Sequence, residues 1–151
     1  MRAKLSAALL IGAVIGALFG AAESVVLLSR FRVWFLASST IPMAMMLYGL
    51  LNAVLAGLWV LLVRRMDQPA FHVKTLVFSV YVMALLLGGF YFHRAWFLNL
   101  SALPSLCFIG GWALAGLIGL WALLKVPVPA SLTRAVEALK VTPLRVAAFG
   151  I

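Results

Sequence analysis

The stretch IGAVIGALFGAAESVV, residues 11–26, combines a glycine repeat with an acid in an otherwise apolar run. Glycine recurs at Gly12, Gly16 and Gly20, and Glu23 follows about one turn later. Residues four apart share one face of a helix, so the glycines predict a smooth face at which a second backbone can approach closely. At 100° per residue, Glu23 projects onto the same face, roughly 20° from Gly12 and from Gly16. The stretch therefore predicts a closely packed helix whose carboxylate points into protein.

The composition of the chain places it in a lipid bilayer. Its 151 residues are 66% hydrophobic and only 10% charged, with a mean hydropathy of +1.19, whereas soluble domains carry roughly 25% charged residues. Twelve Lys and Arg stand against three acids, but they are scattered between apolar blocks and form no basic stripe. We therefore expect membrane lipids, with their anionic headgroups, and no nucleic acid as partners of the basic residues.

Four apolar spans predict an all-α membrane protein with four transmembrane helices, since each is close to the ~20 residues that cross the hydrocarbon core. Nine of the twelve Lys and Arg fall on the side of the N-terminus, the middle loop and the C-terminal tail. The positive-inside rule then predicts that both termini are cytoplasmic, in a bacterial cytoplasmic membrane. The spans lie near residues 5–28, 43–63, 75–97 and 103–124, which gives a transmembrane domain over 1–124 and a cytoplasmic tail over 125–151.

The tail differs in character from the spans. Two prolines end the fourth span, and Ser131 is placed to cap a short amphipathic helix. Its apolar face carries Leu132, Val136 and Leu139 at helical spacing. This helix is expected to lie on the membrane surface or to dock on a partner. The apolar end that follows it has the pattern of a buried strand.

Small residues recur at four-residue spacing in two further spans. Helices in lipid associate where small residues let their backbones come close, so each repeat predicts a packing face. Either all of these faces close the chain's own four-helix bundle, or at least one is left for another polypeptide. The repeats are Gly49, Ala53 and Gly57 in the second span, and Gly111, Ala115 and Gly119 in the fourth.

Three polar residues are expected within or at the edge of the membrane: Glu23, Asn52 and Arg94. An unpaired carboxylate would cost a few kcal/mol there, so we expect Glu23 to pair with Arg30 or Arg94. A proton or cation pathway through Glu23 and Asn52 is the functional alternative. Asn52 is expected to form a hydrogen bond between helices.

The segment GGFYFHRAWF, residues 88–97, places Gly89 one turn before His93 among aromatic residues. Imidazole can ligate a metal or the magnesium of a chlorin, and a small residue one turn away leaves room for a macrocycle. The pattern resembles the small-xxx-His motif of light-harvesting polypeptides, which implies chlorin or haem contact at His93. The alternative is an interfacial histidine bonded to Glu23 or to headgroups. Apart from bound lipids, no other cofactor is expected.

No catalytic pattern is present in the sequence. It lacks the HExxH, CxxC and GxSxG motifs and a glycine-rich phosphate loop, so we expect neither an enzyme nor a metal site. The single cysteine, Cys107, lies in an apolar block and is expected to be a small buried residue.

The final residues, LRVAAFGI (144–151), resemble the first strand of the alkaline-phosphatase superfamily of phosphodiesterase-like and sulfatase-like hydrolases, with the match covering Val146–Ile151. In that family the strand is followed by a metal-binding Asp, which would come after Ile151. The resemblance therefore transfers no site residue. It implies that the chain is the membrane anchor of a hydrolase whose catalytic domain follows.

Three functions are consistent with these patterns. The spare small-residue faces and the absence of catalytic groups favour a non-enzymatic accessory or scaffold subunit of a larger membrane complex, such as a photosynthetic or respiratory one. Its partners would be other transmembrane subunits. The alternatives are the membrane anchor of a hydrolase and a small transporter or channel.

Overall fold

The computed structural model of the chain describes residues 2–96, 101–135 and 138. Its four long helices are each long and apolar enough to cross a membrane, which confirms the prediction of four membrane-length helices and of an integral membrane protein. Within the described residues there is no strand. The elements are α1 (Arg2–Phe31), a 3₁₀ turn (Trp34–Leu36), α2 (Ala37–Val63), α3 (Gln68–Trp96) and α4 (Ala102–Lys125).

The connection between α1 and α2 is shorter than the stretch between the first two predicted spans, residues 29–42. Arg32 adopts a left-handed conformation, with φ of 55°. The Arg32 N–H donates to the Ser29 carbonyl at 3.4 Å, and the Val33 N–H donates to the Leu28 carbonyl at 3.1 Å. This is the pattern of a Schellman motif, which satisfies the last carbonyls of a helix and turns the chain sharply. The chain then passes through the 3₁₀ turn directly into α2.

α1 and α2 form an antiparallel hairpin along the glycine repeat. We call its α1 side the glycine face: Gly12, Gly16 and Gly20, all buried. A β-carbon added to Gly12 would lie 2.6 Å from the Asn52 carbonyl oxygen, and one added to Gly20 would lie 2.5 Å from the Ala44 carbonyl oxygen. A β-carbon on Gly16 would collide with the Tyr48 carbonyl. The three carbonyls are also four residues apart, so the two helices match turn for turn.

α3 packs against both helices of the hairpin and completes a three-helix core. The aromatic rings of Trp59 in α2 and Phe78 in α3 stack with centroids 4.5 Å apart and planes 7° apart. The apolar core lies toward the end of the bundle where α1 begins and α2 ends, because it contains Ala8, Ala56, Trp59, Val60, Val63, Phe71 and Phe78.

α4 packs along α3 through aromatic side chains that lie against glycines. Trp112 donates its indole N–H to the Leu85 carbonyl at 2.9 Å, and its ring lies against Gly89. The Tyr81 hydroxyl, on α3, bonds to the carbonyl of Gly116 at 3.1 Å and lies against Gly119. Gly116 is the one buried residue of α4. The described helices therefore form a three-helix core with α4 on its edge, and not an evenly packed four-helix bundle.

Two lysines bind helix ends at the same end of the bundle, which we call the Lys4 end. Lys4 Nζ donates to the carbonyls of Arg64, at 3.0 Å, and of Met66, just beyond α2. Lys74 Nζ donates to the Leu124 carbonyl in the last turn of α4, at 2.9 Å. The last carbonyls of a helix lack partners within the helix, and a cation is favourable beside them. The first contact places the start of α1 beside the end of α2, and the second places the start of α3 beside the end of α4.

Lys74→Met should weaken the attachment of α4. The change keeps the apolar stem but leaves the Leu124 carbonyl without its charged donor, which should cost about 1–2 kcal/mol of unfolding free energy. Lys125→Met is the matched control, since Lys125 is an exposed lysine in the last turn of α4. Unfolding by SDS titration, followed by far-UV circular dichroism, measures both. Equal losses in the two variants would contradict a specific role for Lys74.

The helix after α4 begins two residues earlier than a cap at Ser131 would place it. Residues 130–135 are helical, and the Pro129 carbonyl accepts from the N–H groups of Leu132 at 3.1 Å and Thr133 at 3.2 Å. The expectation that Ser131 caps this helix is therefore wrong, because Ser131 already lies in its first turn. Val136, Leu139 and the strand-like end at 144–151 lie outside the described residues, so the predictions made for them stay predictions.

Candidate functional site

A carboxylate held by two tyrosines joins the three core helices. Glu23, in α1, accepts a hydrogen bond from the Tyr91 hydroxyl of α3, and the Tyr48 hydroxyl of α2 interacts with the same carboxylate. We call these residues the Glu23 cluster. Hydrogen bonds from hydroxyl groups to an ionised carboxylate are roughly twice as strong as neutral ones. The cluster therefore fixes α1, α2 and α3 relative to one another at one level of the membrane.

The geometry of an antiparallel pair brings Glu23 and Tyr48 together. Helical side chains lean toward the N-terminus of their own helix. The Tyr48 carbonyl packs on Gly16, two turns before Glu23. Because α1 and α2 run in opposite directions, the Glu23 side chain leans back toward Gly16 while the Tyr48 side chain leans toward Glu23. The close approach at the glycine face thus supplies the hydroxyl that the acid bonds.

The structure gives Glu23 tyrosine partners in place of the expected arginine. Among the described residues, no Lys or Arg forms an ion pair with this carboxylate. Arg30 and Arg94 lie instead in the last turns of α1 and α3. Both line a cavity of about 410 Å³ whose wall includes Tyr91. The arginines therefore share this cavity with Tyr91, and Glu23 is not among the residues that line it.

A second polar group lies in the middle of the three-helix core. Asn52 is 0% exposed and donates its side-chain N–H to the Ser79 carbonyl at 3.4 Å, which links α2 to α3. Its Oδ1 atom has no hydrogen-bond partner within the part of the chain that the structure describes. The same is true of the buried hydroxyls of Thr75 and Ser79 and of the Trp59 indole N–H. The three-helix core thus contains four buried polar atoms that have no hydrogen-bond partner among the described residues.

His93 lies at the boundary between α3 and α4. Its Nε2 atom shares a short hydrogen bond with the Ser105 hydroxyl, and its ring lies 5.8 Å from that of Phe108. A β-carbon added to Gly89 would lie 2.5 Å from the Trp112 indole nitrogen. The Trp112 ring therefore fills the space that the sequence motif reserved for a macrocycle. Chlorin or haem contact at His93 stays a prediction from the motif.

The second-span repeat lies against α1. A β-carbon on Gly49 would lie 3.1 Å from the Ala13 carbonyl oxygen, and one on Gly57 would lie 3.2 Å from a methyl carbon of Leu9. The Cα atom of Ala53 closes the contact with the glycine face. The small residues of α1 and α2 therefore pack against each other.

The small residues of the fourth-span repeat lie in two different environments, one packed against α3 and one exposed. Gly119 packs against the Tyr81 side chain. Ala115 is exposed, and no atom of the described residues lies within 4 Å of a β-carbon added to Gly111. Cys107, one turn before Gly111, is also exposed, so the expectation that it is buried is wrong. The reason is that α4 has one packed side, and Cys107 lies on another. We call Cys107, Gly111 and Ala115 the α4 small-residue face.

Comparison with protein-family models, with curated proteins and with solved structures finds no match to this chain. Its site is therefore interpreted from its own geometry. The sequence does not predict the roles of Tyr48, Tyr91 and Trp112, because each role depends on a contact with a neighbouring helix. The available signal was weak: each tyrosine lies beside or near a glycine of its own helix, at a depth close to that of the acid.

Proposed function

We propose that this chain is a non-enzymatic integral membrane subunit that packs against the helices of other subunits in a larger membrane complex. The observation that supports the proposal is the exposed α4 small-residue face. The same four-residue spacing closes the α1–α2 interface, so the spacing is suited to a close helix contact. α4 offers this spacing on a side that no described helix covers.

The cost of glycine in a helix strengthens this argument. Glycine lowers helix stability by roughly 0.5–1 kcal/mol relative to alanine. In α1 the close approach of two backbones compensates for that cost. Gly110 and Gly111 have no atom within 4 Å of an added β-carbon, so no contact among the described residues compensates for theirs. An approaching helix from another subunit would supply the missing compensation.

The distribution of positive charge supports an orientation within the proposed complex. Lys4 and Lys74 lie at the Lys4 end, and Arg64 and Arg65 line a cavity there together with Lys4. Lys and Arg concentrate on the cytoplasmic side of membrane proteins. In the proposed arrangement, the Lys4 end faces the cytoplasm of a bacterium, and the complex is an energy-transducing one such as a photosynthetic or respiratory assembly.

Gly111→Leu is expected to release the partner without unfolding the protein. The new side chain would project into the space where a partner backbone approaches, and its β-carbon would have no atom of the described residues within 4 Å. Purification of the natural complex in a mild detergent, with quantitative mass spectrometry, should show at least a tenfold loss of the co-purified subunit. The melting temperature of the isolated variant should match that of the wild type.

Ala84→Leu is the matched control, because it adds the same side-chain type at an exposed position of α3. It should retain the partner. The native Cys107 gives an independent readout, since a thiol cross-linker added to membranes should join it to the neighbouring subunit. A wild-type protein that purifies as a monomer and yields no Cys107 cross-link would refute the proposed function.

A further inference from the structure

We infer that the cavity lined by Arg30 and Arg94 binds the phosphate group of an anionic phospholipid. The cavity has a volume of about 410 Å³ and lies where α1 and α3 end. That volume falls within the ~300–1,000 Å³ typical of small-molecule sites. Its lining consists of Leu27, Arg30, Phe31, Tyr91, Arg94 and Ala95.

The positive charge of the residues that line the cavity favours an anionic ligand. Arg30 of α1 and Arg94 of α3 line one space, and neither forms an ion pair within the described ranges 2–96 and 101–135. Like charges that share a site repel each other, and unpaired charges near the hydrocarbon are costly. Glu23 does not line the cavity, and its carboxylate accepts a hydrogen bond from the Tyr91 hydroxyl instead. One carboxylate also leaves one of the two positive charges uncompensated.

The chemistry of the two groups favours phosphate. Each guanidinium presents a planar fork of N–H donors that matches the oxygens of a phosphate bidentately. Placing the forks on α1 and α3 lets one phosphate bridge two helices. Tyr91 is held by its bond to Glu23 and so forms a fixed wall between them.

The remaining walls favour a lipid over free phosphate. Leu27, Phe31 and Ala95 are apolar and would make no favourable contact with an inorganic ion. The rings of Phe31 and Trp34 are 63% and 51% exposed at this end, as expected of aromatic side chains at headgroup depth. A phospholipid at that depth places its phosphate beside the arginines and an acyl chain along the apolar walls.

Native mass spectrometry of the detergent-purified chain tests this inference. Wild-type protein should retain one phosphatidylglycerol at least tenfold more tightly than phosphatidylcholine. Millimolar inorganic phosphate should fail to displace it. The Arg30→Gln/Arg94→Gln double variant should bind phosphatidylglycerol at least tenfold more weakly. Displacement by inorganic phosphate would overturn the assignment to a lipid.

The control variant removes two arginine charges at the opposite end of the bundle, the Lys4 end. Arg64→Gln/Arg65→Gln should keep the tightly held lipid, and an equal loss in both double variants would overturn the site in favour of general charge attraction. Ala95→Trp keeps both arginines and fills the cavity from an exposed position. It should weaken binding as well, so the inference stays testable if the double arginine variant fails to fold. Unchanged binding in Ala95→Trp would overturn it.

Discussion

Gly16→Ala should destabilise the protein by about 3 kcal/mol, the upper end of the usual cost of overpacking. The added methyl group would collide with the Tyr48 carbonyl and would lie 2.9 Å from the Asn52 β-carbon. A flexible side chain could turn away, but a backbone carbonyl within a helix cannot move alone. The two helices would have to separate along their whole contact, and dispersion contacts of the glycine face would be lost. SDS titration followed by tryptophan fluorescence measures the loss.

Two other alanine substitutions calibrate the Gly16 result. Gly49→Ala meets the Ala13 carbonyl at 3.1 Å, a milder contact, and should cost less than Gly16→Ala. Gly111→Ala meets nothing within 4 Å and should leave stability unchanged or slightly raised, since alanine is the better helix former. If all three variants had similar stabilities, close packing of α1 on α2 would not be what holds the core together.

Removing both hydroxyls of the Glu23 cluster should cost more than removing the acid itself. In Tyr48→Phe/Tyr91→Phe the carboxylate stays in the membrane without its donors, so the loss should reach about 3 kcal/mol or more. Adding Glu23→Leu to that double variant should recover most of the stability. The acid and the two hydroxyls are then all replaced by apolar groups, so no polar group is left without a partner. The unfolding free energies of the double and triple variants give the comparison.

Tyr81→Phe is the matched control for the tyrosine pair. Its hydroxyl bonds to carbonyls of α4 that already belong to a helix ladder, so its removal should cost only about 1 kcal/mol. The single variants Tyr48→Phe and Tyr91→Phe complete a double-mutant cycle with Glu23→Leu. A triple variant no more stable than the tyrosine double variant would show that the carboxylate does not need these hydroxyls.

The elements of the fold could be predicted from the sequence, but the partners of each face could not. Apolar spans and charge positions indicate four helices because hydrocarbon thickness sets their length. The four-residue glycine period identifies a face of α1, since the period is a property of that helix alone. Which helix covers the face depends on how all four helices are rotated. The sequence left open whether the fourth helix of this chain or another polypeptide covers the glycines, whereas the structure places α2 there.

The partners of Glu23 illustrate the same limit. Opposite charge made arginine the expected partner, yet Arg30 lies seven residues further along α1, about 10 Å at 1.5 Å per residue. Tyr48 and Tyr91 reach the acid because their helices place them at its level. The space beside Gly89 is a similar case, as it is filled by Trp112 from another helix. Single-helix patterns show where room exists and do not show what occupies it.

The contact of Lys4 has a consequence for how the chain enters the membrane during synthesis. Its carbonyl partner on Arg64 lies 60 residues further along the chain. The first helix therefore cannot be fixed in place until the second has left the ribosome, and the two are expected to enter the bilayer as a hairpin before the third joins them. The fourth helix enters last and packs mainly on α3, so it is the least constrained of the four membrane-length helices in the newly made protein.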